Sequence, residues 1–365
     1  MILHRILTYW GLSADNGEEI SIARLRDAKR QERVGKVTIY EIAKQAGVSV
    51  STVSRVVNNK ANVNEKTRKR VLALLEKNNY SPNVAARGLV TQSSKMIGIL
   101  LTDLRTTHHT EGIYYIQREL EECGYCFLII NTGRGDEEKA QSVKILRERQ
   151  VEAAILIGST FQSEAVKEAI ATYMPTIPVF LANGQIDLEN CYSVVADDQT
   201  GVYRAMEYLA QRGRRCPAFL VDYHTPSNEA KERGFRDGCA HFFPHSPEPI
   251  IREAGTDVAA YAASARELLT SHPEVDAIIA SEDVIAAGVL KALNEEAILV
   301  PERVAVMGIN NSALAELVSP SLTSLDNRLL DLSITIAHNL RSVLQGKAAA
   351  KHTMMYSTIR EREST

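Results

Sequence analysis

The chain lacks the features that mark membrane proteins and secreted proteins. No apolar run in its 365 residues approaches the roughly 18 residues that a membrane span needs. The apolar patch at the N-terminus is interrupted by His4 and Arg5 and has no small-residue cleavage site, which excludes a signal peptide. Five cysteines do not make a disulfide framework, and an odd count is typical of a reducing compartment. We therefore expect a cytoplasmic protein.

The chain also lacks the short motifs of common enzyme classes. It contains no GxGxxG after its first apolar strand, no P-loop and no GxSxG. The adjacent His108 and His109 do not indicate a metal site, because neighbouring histidines rarely converge on one ion without a third ligand. Cys123 and Cys126 have CxxC spacing but span a predicted helix end and strand start, so we expect buried, inert thiols. These absences predict a protein that is not an enzyme and needs no cofactor.

The stretch 38–58 reads TIYEIAKQAGVSVSTVSRVVN and predicts two short helices joined by a turn. Gly47 suits the left-handed conformation that ends a helix, and Ser49 suits the cap of the next helix. Two such helices form a helix-turn-helix, although an ordinary helical hairpin has the same pattern. The residues predicted to bury the inner faces have helical spacing and are Ile39, Ile42, Ala43, Ala46, Val53, Val56 and Val57.

The second helix of this pair would present Val50, Ser51 and Arg55 on its outer face. Arg55 can make two hydrogen bonds to a guanine edge, and Val50 can contact a thymine methyl group. These residue types at helical spacing indicate a surface that reads the major groove of DNA.

A third helix, Glu65–Lys77, would complete the smallest core that holds this pair, with Asn64 or Asn62 as its cap. Residues 37–82 carry eight Lys or Arg and three Asp or Glu, a net charge of +5, and residues 1–36 carry +2. Because the whole chain is at −3, the remaining residues carry −10. A basic head on an acidic body is typical of a nucleic-acid-binding protein. The third helix is predicted to turn inward Val71, Leu72 and Leu75.

The stretch 38–59 and the following VNEKTRKRVLALLEKNNYSPNVAARGL resemble the DNA-binding head and hinge of the lactose-repressor (LacI/GalR) family of bacterial regulators. The resemblance runs through residues 38–89 without a gap, and the chain from Met96 onward fits the family more loosely. It implies a helix-turn-helix domain at 37–82 that binds double-stranded operator DNA. The candidate DNA-binding residues are Thr38, Tyr40, Ser49, Val50, Ser51, Thr52, Ser54, Arg55, Asn58, Asn62, Tyr80, Asn83, Ala86, Arg87 and Leu89.

Residues 83–94 form a predicted hinge helix and linker. Gly88 costs about 1 kcal/mol in a helix, so this helix would be marginal alone. In the lactose-repressor family the hinge forms on the operator, pairs with its dimer mate and inserts a leucine into the minor groove. The resemblance places Leu89 at that position, whereas a plain flexible linker is the alternative.

Residues 1–36 match nothing in the family head. Their charged end, RLRDAKRQERVGK, has no apolar face to bury, which favours a disordered basic arm. The alternative is that translation starts at Val34 or Val37 and this leader is not made.

From Met96 the sequence alternates short apolar runs with helical stretches, in two similar halves. Strand alternating with helix implies parallel strands joined by right-handed crossovers. The fold class is therefore an N-terminal all-α head followed by an α/β two-lobed core at 95–365, which resembles the periplasmic-binding-protein-like core of the family. We expect lobe one at about 95–195 plus 327–345, and lobe two at about 197–323 plus the C-terminal segment.

Polar residues follow several predicted strands at their carboxyl ends, where ligands bind in such sheets. One alone is an ordinary cap or turn residue, but together, at equivalent places in two lobes, they favour a polar small-molecule site. The resemblance implies that Lys231, three residues before Gly234-Phe235, stands where the family has an Arg that grips the effector. The candidate effector-binding residues are Asp103, His108, His109, Asn183, Lys231, Glu282, Asp283, Asn310 and Asn327.

The sequence departs from the family pattern at this site. The departures argue against a standard neutral hexose. Lys231 with His108 or His109 can instead hold an anionic group such as phosphate or carboxylate. Besides Lys231, the departing positions are Glu282-Asp283 for the usual Asn-Asp, Asn310-Asn311 for Asp-Asp, and Leu329 for an aromatic residue.

The sequence thus predicts a transcriptional regulator, most simply a repressor, that binds a palindromic operator as a homodimer or tetramer. One three-helix head reads only a few base pairs, so two heads are needed for specificity. A small polar effector, a sugar, sugar phosphate or sugar acid, would gate DNA binding from the cleft. The alternative is a DNA-binding regulator whose core only dimerises or docks a partner protein.

Overall fold

Two units make up the structure, a head within residues 1–92 and a core at residues 93–365. No helix in the described part of the chain is long and apolar enough to cross a membrane. The computed structural model describes residues 37–57, 62–78, 93–244 and 248–365.

The head is built from three short helices, α1 (Ile39–Ala46), α2 (Val50–Val57) and α3 (Glu65–Lys77). Their apolar faces meet in one small core, as the helical spacing predicted. The prediction of a helix-turn-helix head is confirmed. The buried core residues are Ile42, Ala43, Ala46, Val53, Val56 and Val71.

Leu72 is the exception among the residues predicted to face the head core. Its side chain is 48% exposed. The inner face of α3 runs instead through Val71, Leu74 and Leu75, which pack in the head core. Successive helical residues are rotated by roughly 100°, so Leu72 lies beside this face rather than on it. The prediction that Leu72 points inward is wrong.

The core alternates strands and helices along the chain, as its sequence rhythm predicted. Its elements are β1 (Met96–Leu101), α4 (Thr107–Glu121), β2 (Cys126–Asn131), α5 (Asp136–Glu148), β3 (Ala153–Ile157), α6 (Glu164–Tyr173), β4 (Val179–Ala182), β5 (Cys191–Ala196), α7 (Asp198–Gln211), β6 (Pro217–Val221), α8 (Pro226–Phe242), β7 (Ile250–Glu253), α9 (Val258–Ser271), β8 (Ala277–Ala280), α10 (Asp283–Glu295), β9 (Ala305–Ile309), α11 (Leu314–Leu317), β10 (Thr323–Asp326), α12 (Leu329–Leu344), β11 (His352–Met355) and β12 (Thr358–Arg360).

The core strands form two six-stranded sheets, one in each lobe. The strand order is β11-β5-β4-β3-β1-β2 in the first lobe and β12-β10-β9-β8-β6-β7 in the second. Neighbouring strands are parallel, and β12 runs antiparallel to β10. Parallel sheets covered by helices are buried on both faces, which is why β1 reads as the continuous apolar run MIGILL.

The C-terminal part of the chain contributes to both lobes. Helix α12 packs on the first lobe, as predicted, where Leu332, Ile336 and Leu340 share a core with Ile97 and Ile116. Strand β11 then pairs with β5 in the first sheet, and β12 pairs with β10 in the second. The sequence had assigned the whole segment after α12 to lobe two. It crosses back instead, because β11 completes the free edge beside β5.

Several core elements gave too weak a sequence signal to be predicted, and three of them show why. Strand β10 is polar although its Thr323 and Ser324 are buried, so it offers no apolar run. Strand β7 is short and partly exposed. Helix α7 buries a face that includes Val202 and Met206 behind a polar N-terminal turn. Helix α4 begins at Thr107, and its first turn carries both histidines of the candidate site.

The CxxC pair lies at the start of an edge strand. Strand β2 is the last strand of the first sheet, so its outer side is uncovered. Cys126 is exposed and Cys123 is half-buried, and both are free. The prediction of two buried thiols is therefore wrong.

Candidate functional site

Helix α1 begins and ends at residues that suit its termini. Thr38 and Glu41 form a reciprocal cap, in which the Thr38 backbone N–H donates to Glu41 Oε2 over 2.6 Å. Gly47 ends the helix with a φ of 62°, the left-handed region that side chains disfavour. A Cβ on Gly47 would meet nothing within 4 Å, so conformation alone favours glycine there. The sequence thus sets the turn that directs α2.

Helix α2 presents a polar outer face. Ser49 caps it, accepting from the backbone N–H of Thr52 over 3.2 Å. The hydroxyl group of Ser49 also lies 2.8 Å from those of Ser51 and Thr52. Ser51 and Arg55 are exposed, as the spacing predicted. A guanidinium group beside a row of hydroxyl groups can donate to base edges and to phosphates.

Val50 differs from its predicted position. It is half-buried and packs against the head core instead of pointing fully outward. It stands at the first residue of α2, where the helix leaves the turn, and part of its surface contacts the core. Only the remaining part is free to contact a thymine methyl group.

The other candidates in the head fall into three groups. Thr38, Tyr40 and Asn62 are exposed, Tyr40 with 72% of its surface free. Thr52 and Ser54 are half-buried. Asn64 rather than Asn62 caps α3, accepting from Lys66 N–H over 2.9 Å. The candidates Asn58, Tyr80, Asn83, Ala86, Arg87 and Leu89, like the predicted leader 1–36 and most of the predicted hinge, lie outside the described residues.

In the core, a buried network joins the points where the chain crosses between the lobes. Asn327 follows β10 and donates to Asp198 Oδ1 over 3.4 Å and to Asn310 Oδ1 over 3.2 Å. Ser357, on the last crossover, donates to Asn327 Oδ1 over 2.8 Å. Asn183 accepts from the Ala196 N–H over 3.1 Å. Asn183, Asn310 and Asn327 therefore hold the crossovers in place, a role that strand-end position alone does not distinguish from ligand binding.

The carboxylate of Asp283 also accepts hydrogen bonds from within the protein. Its Oδ2 accepts from the backbone N–H and the hydroxyl group of Ser312, over 2.6 and 2.8 Å. Its Oδ1 accepts from Ser324 over 2.5 Å. Burial raises the pKa of this carboxyl, and these hydrogen bonds oppose the rise. Asp283 thus secures the loop after β9 within the second lobe, and its placement as an effector ligand is not supported, because both oxygens are occupied.

Lys231 is 5% exposed and lies inside the second lobe. Its Nζ donates to Asn228 Oδ1 over 3.1 Å and to the Ser281 carbonyl over 3.2 Å. Its charge favours the ionised forms of Asp198 and Glu282. Two of its three N–H donors are therefore used within the protein, which weakens the prediction that Lys231 grips an anionic ligand.

Glu282 is the cleft carboxylate with the most unusual environment. Burial raises its pKa to about 7, and the neighbouring Asp222 adds to the rise, while Lys231 and Arg134 oppose it. Within the described residues, no group donates a hydrogen bond to its carboxylate. Asp222, by contrast, accepts from Asn228 over 3.0 Å and from the Ser281 hydroxyl over 3.2 Å on its Oδ1. Glu282 is available to a ligand.

The two histidines line the first-lobe wall in neutral form. Burial lowers the pKa of His108 to about 3 and that of His109 to about 4. His109 Nδ1 and Thr160 Oγ1 are out of contact with solvent and have no partner among the described residues. Both face Gly158, since a Cβ there would lie 3.4 Å from His109 Nε2 and 3.9 Å from Thr160 Oγ1. Neutral rings cannot supply the positive charge that the predicted anion-binding role requires.

The carboxylate of Asp103 forms an ion pair with the neighbouring Arg105. Arg105 donates from Nη2 to Asp103 Oδ2 over 2.7 Å and from its backbone N–H to Oδ1 over 2.9 Å. Hydrogen bonds from Arg105 lower the pKa of Asp103 to about 2. Asp103 therefore stays ionised at the cleft edge, already paired with a cation.

Two contacts that the sequence did not predict join the lobes across the cleft. The Arg134 guanidinium, after β2, lies 3.2 Å from the centroid of the Tyr223 ring, after β6. The Ser227 N–H, at the start of α8, donates to Ser159 Oγ of the first lobe over 3.1 Å. The same strand-end rule that selected Asp103 would have found Arg134 and Tyr223, had it been applied to β2 and β6. The cleft is therefore lined by both lobes and bridged at its mouth.

No cluster of metal-ligating side chains supplements this set. Groups of three or more His, Cys, Asp or Glu that could hold a metal ion do not occur among the described residues. The chemistry of the cleft is hydrogen bonding and charge pairing at the carboxyl ends of parallel strands.

Comparison with known families and structures agrees with this architecture. The model of bacterial regulatory proteins of the lacI family matches residues 38–83, and the model of the periplasmic binding protein-like domain matches residues 206–365. An HTH-type transcriptional regulator of Lachnoclostridium phytofermentans is 31% identical over 333 residues, covering 90% of this chain and 99% of the relative.

Solved structures share the fold at low sequence identity. The lac repressor dimer bound to operator and the anti-inducer ONPF superposes with a TM-score of 0.81 at 22% identity, covering 90% of this chain and 99% of that chain. A regulator from Enterococcus faecium with bound ribose has a TM-score of 0.66 at 21% identity, covering 74% and 98%. Together, the basic helix-turn-helix head, the two parallel-sheet lobes and the full-length relative establish that this chain belongs to the LacI family of DNA-binding transcriptional regulators.

Proposed function

We propose that this regulator is a homodimeric repressor that binds a palindromic operator and is gated by a small polar effector in the cleft of its core, a sugar or sugar derivative. The observation that carries the proposal is the pairing of two sites in one chain. An outward-facing α2 displays Ser51 and Arg55, and a cleft in the core contains polar groups without protein partners.

The head supports operator binding through charge and through one reading helix. Residues 37–82 have a net charge of +5 in a chain of −3, so the attraction to phosphate is concentrated there. Arg55 can donate twice to one guanine, which specifies a base but not a whole site. Two heads related by a twofold axis read two half-sites, and the lac repressor neighbour is a dimer on its operator.

The hinge completes the proposed DNA-binding unit. Residues 83–94 would order on the operator, and Leu89 would enter the minor groove at the centre of the palindrome. Insertion of an apolar side chain costs a few kcal/mol of unstacking, which the bend and the added contact area offset. The domain boundaries of the proposal are therefore 37–82 for the head, 83–94 for the hinge and 95–365 for the core.

The cleft supports a ligand rather than a purely structural core. His109 Nδ1 and Thr160 Oγ1 are buried and have no partner among the described residues, and such groups are rarely left unpaired without a reason. The half-buried Glu282 carboxylate also accepts no hydrogen bond from the described residues. A polyhydroxylated molecule offers several donors and acceptors at once. The Enterococcus faecium neighbour was solved with ribose, which shows that this fold accommodates such a molecule in that protein.

The test is a titration of the full chain on its selected operator, with and without sugars and sugar derivatives. We expect one class of compound to change operator affinity by at least about fivefold, the lower end of typical allosteric coupling. Sedimentation at micromolar concentration should show a dimer. A monomer on DNA, or an operator affinity that no small molecule changes, would contradict the proposal.

The contacts across the cleft favour a second candidate function. Arg134 on Tyr223 and Ser227 on Ser159 join the lobes directly, so contacts within the protein itself hold the lobes together. In that case the core would only dimerise or dock a partner protein. A thermal-shift screen separates the two candidates, because a ligand that binds the folded core must raise its melting temperature.

A further inference from the structure

The unpartnered groups of the cleft come from both lobes. His109 Nδ1 and Thr160 Oγ1 lie on the first-lobe wall and are out of contact with solvent. The Glu282 carboxylate lies on the second-lobe wall, with no donor among the described residues. Arg134 stacks on Tyr223 over 3.2 Å and the Ser227 N–H donates to Ser159 Oγ over 3.1 Å, so direct contacts hold the two walls together. These groups therefore belong to one site, and a ligand that satisfies them must reach both walls.

This part of the site has more carboxylates than cations. Asp198 and Lys231 are buried, and the half-buried Asp222 and Glu282 lie beside them. Lys231 already donates to Asn228 and to the Ser281 carbonyl, so it cannot compensate all three. Arg134 is exposed and stacked on Tyr223 at the mouth. Burial raises the pKa values of Asp198 and Glu282, and a further cation nearby would favour their ionised forms.

The positive charge on the first-lobe wall is already paired, because Lys139 Nζ donates to Asp136 Oδ1 over 3.0 Å and to the Thr160 carbonyl over 2.9 Å. His108 and His109 are neutral near pH 7, because burial lowers their pKa values to about 3 and about 4. Asp103 is paired with Arg105 at the cleft edge. An anionic ligand would therefore meet three carboxylates and lysines that are already bonded, which disfavours the phosphate or sugar acid that the sequence suggested.

Building on the proposed function, we propose that the effector carries a protonated amine beside hydroxyl groups, as an amino sugar does. The amine lies against Glu282 and the free Oδ2 side of Asp222. The hydroxyl groups pair with His109 Nδ1 and Thr160 Oγ1. An ammonium group supplies three donors and one positive charge, which is what the second-lobe wall lacks.

The test uses matched sugars on the full chain. Glucose, galactose and mannose are each compared as the neutral sugar, the 2-amino-2-deoxy sugar and the 6-phosphate, by calorimetry near pH 7. We expect an amino sugar to bind at least about tenfold more tightly than its neutral and phosphorylated counterparts, since charge-assisted hydrogen bonds are the stronger ones. Equal binding of neutral and amino forms, tightest binding of a phosphate, or no binding of any amino sugar would overturn the proposal.

A pair of variants ties the preference to the cleft. Glu282→Gln keeps the shape of the side chain and removes the charge, so the preference for the amino form should fall to less than about twofold. Glu267→Gln, at an exposed position of α9 in the same lobe, should leave it unchanged. Melting of each unliganded variant checks that the core is folded. A preference that persists in folded Glu282→Gln would contradict the assignment of the amine to this carboxylate.

The pH dependence of amino-sugar affinity provides an independent test of the contact with Glu282. Glu282 is faced by Asp222, Asp283, Lys231 and Arg134, and the balance raises its pKa to about 7. An amine remains protonated between pH 5.5 and pH 7, whereas Glu282 becomes ionised over that range. Affinity for the amino sugar should therefore rise roughly tenfold from pH 5.5 to pH 7, and Glu282→Gln should remove the rise. A flat profile in the wild type would contradict the ionic contact.

Operator binding distinguishes failure of this inference from failure of the proposed function. If neutral or phosphorylated sugars change operator affinity and amino sugars do not, gating by an effector is supported and the proposal of an amino sugar is wrong. If none of the nine compounds changes operator affinity or binds the core, the amine assignment falls and effector gating loses its support as well.

Discussion

The head and the cleft use charged residues in opposite ways. In the head, Arg55 and Lys69 are exposed to water, ready for phosphates and base edges. In the cleft, Lys231 is buried and already bonded, and Glu282 is half-buried with no donor among the described residues. Charges left in water give binding that salt screens strongly, whereas enclosed groups discriminate between ligands because each unmatched group carries a desolvation cost. Under the proposed function, one chain separates affinity for DNA from selectivity for a small molecule.

The largest effect is expected in the core, from removal of the buried charge of Lys231. Lys231→Met should lower the free energy of unfolding of the core by about 3 kcal/mol, because Asp198 and Glu282 lose the cation that offsets them. Lys291→Met, at an exposed lysine of α10, should change it by less than about 0.5 kcal/mol. Urea denaturation followed by far-UV circular dichroism measures both. Equal stability of the two variants would mean that the Lys231 charge is not needed in the core.

The matching change on the head side is Arg55→Ala. It should weaken binding to the selected operator by about 1–3 kcal/mol and relax specificity at one base position of each half-site. Lys69→Ala, at an exposed lysine of α3, should weaken all sequences to a similar, smaller extent. Competition binding with single-base operator variants measures both effects. A uniform loss for Arg55→Ala would reduce Arg55 to a phosphate contact.

The response to pH should also separate the two regions. The pKa of His109 is lowered from 6.5 to about 4, so the unfolded chain binds the proton first and stability falls as pH drops from 6.5 towards 4. Glu282 acts in the opposite direction, because its raised pKa favours the folded state below pH 7. His109→Gln should therefore reduce the gain in core stability between pH 5 and pH 7 by about 2 kcal/mol.

The head provides the internal reference for that experiment, because residues 37–82 contain no histidine. His338→Gln, at an exposed histidine of α12, serves as the matched variant in the core. Denaturation curves at pH 5 and pH 7 give the comparison. An identical pH response in the wild type and His109→Gln would contradict a neutral, enclosed ring at this position.

The smallest expected effect concerns the turn of the head. Gly47→Ala places a side chain at a φ of 62° and should cost about 1 kcal/mol in the free energy of unfolding of the head, because the left-handed conformation disfavours Cβ. Gly47→Asn should cost less, since asparagine adopts this conformation more readily. Thermal melting followed by operator binding at each temperature reports on the head. An equal loss for alanine and asparagine would point to packing instead of conformation, although no atom lies within 4 Å of the site.

The head was predictable because its information is local. Helix spacing, the glycine at the turn and the caps at Thr38, Ser49 and Asn64 lie within a few residues of the features that they set. The errors were small rotations about a helix axis. Leu72 lies one residue from the inner face, and Val50 stands where α2 leaves the turn.

The cleft was only partly predictable because strand ends serve two purposes. The rule that polar residues follow strands selected Glu282, which accepts no hydrogen bond from the described residues, and also Asp283 and Asn327, which hold loops and crossovers together. Which way a side chain turns depends on partners distant in sequence, such as Ser312 and Ser324 for Asp283. Arg134 and Tyr223 come from different lobes, so no local sequence pattern predicts the contact between them.

The central claim is that the basic head reads a palindromic site, and selection from random DNA tests it most directly. The full chain is used to enrich duplexes from a random pool, and affinity for the winning sequence is measured between about 50 and 200 mM salt. We predict two half-sites related by a twofold axis and a log affinity that falls by about 0.9 per log unit of salt for each phosphate neutralised. No enriched sequence, or an affinity that does not change with salt, would contradict the account.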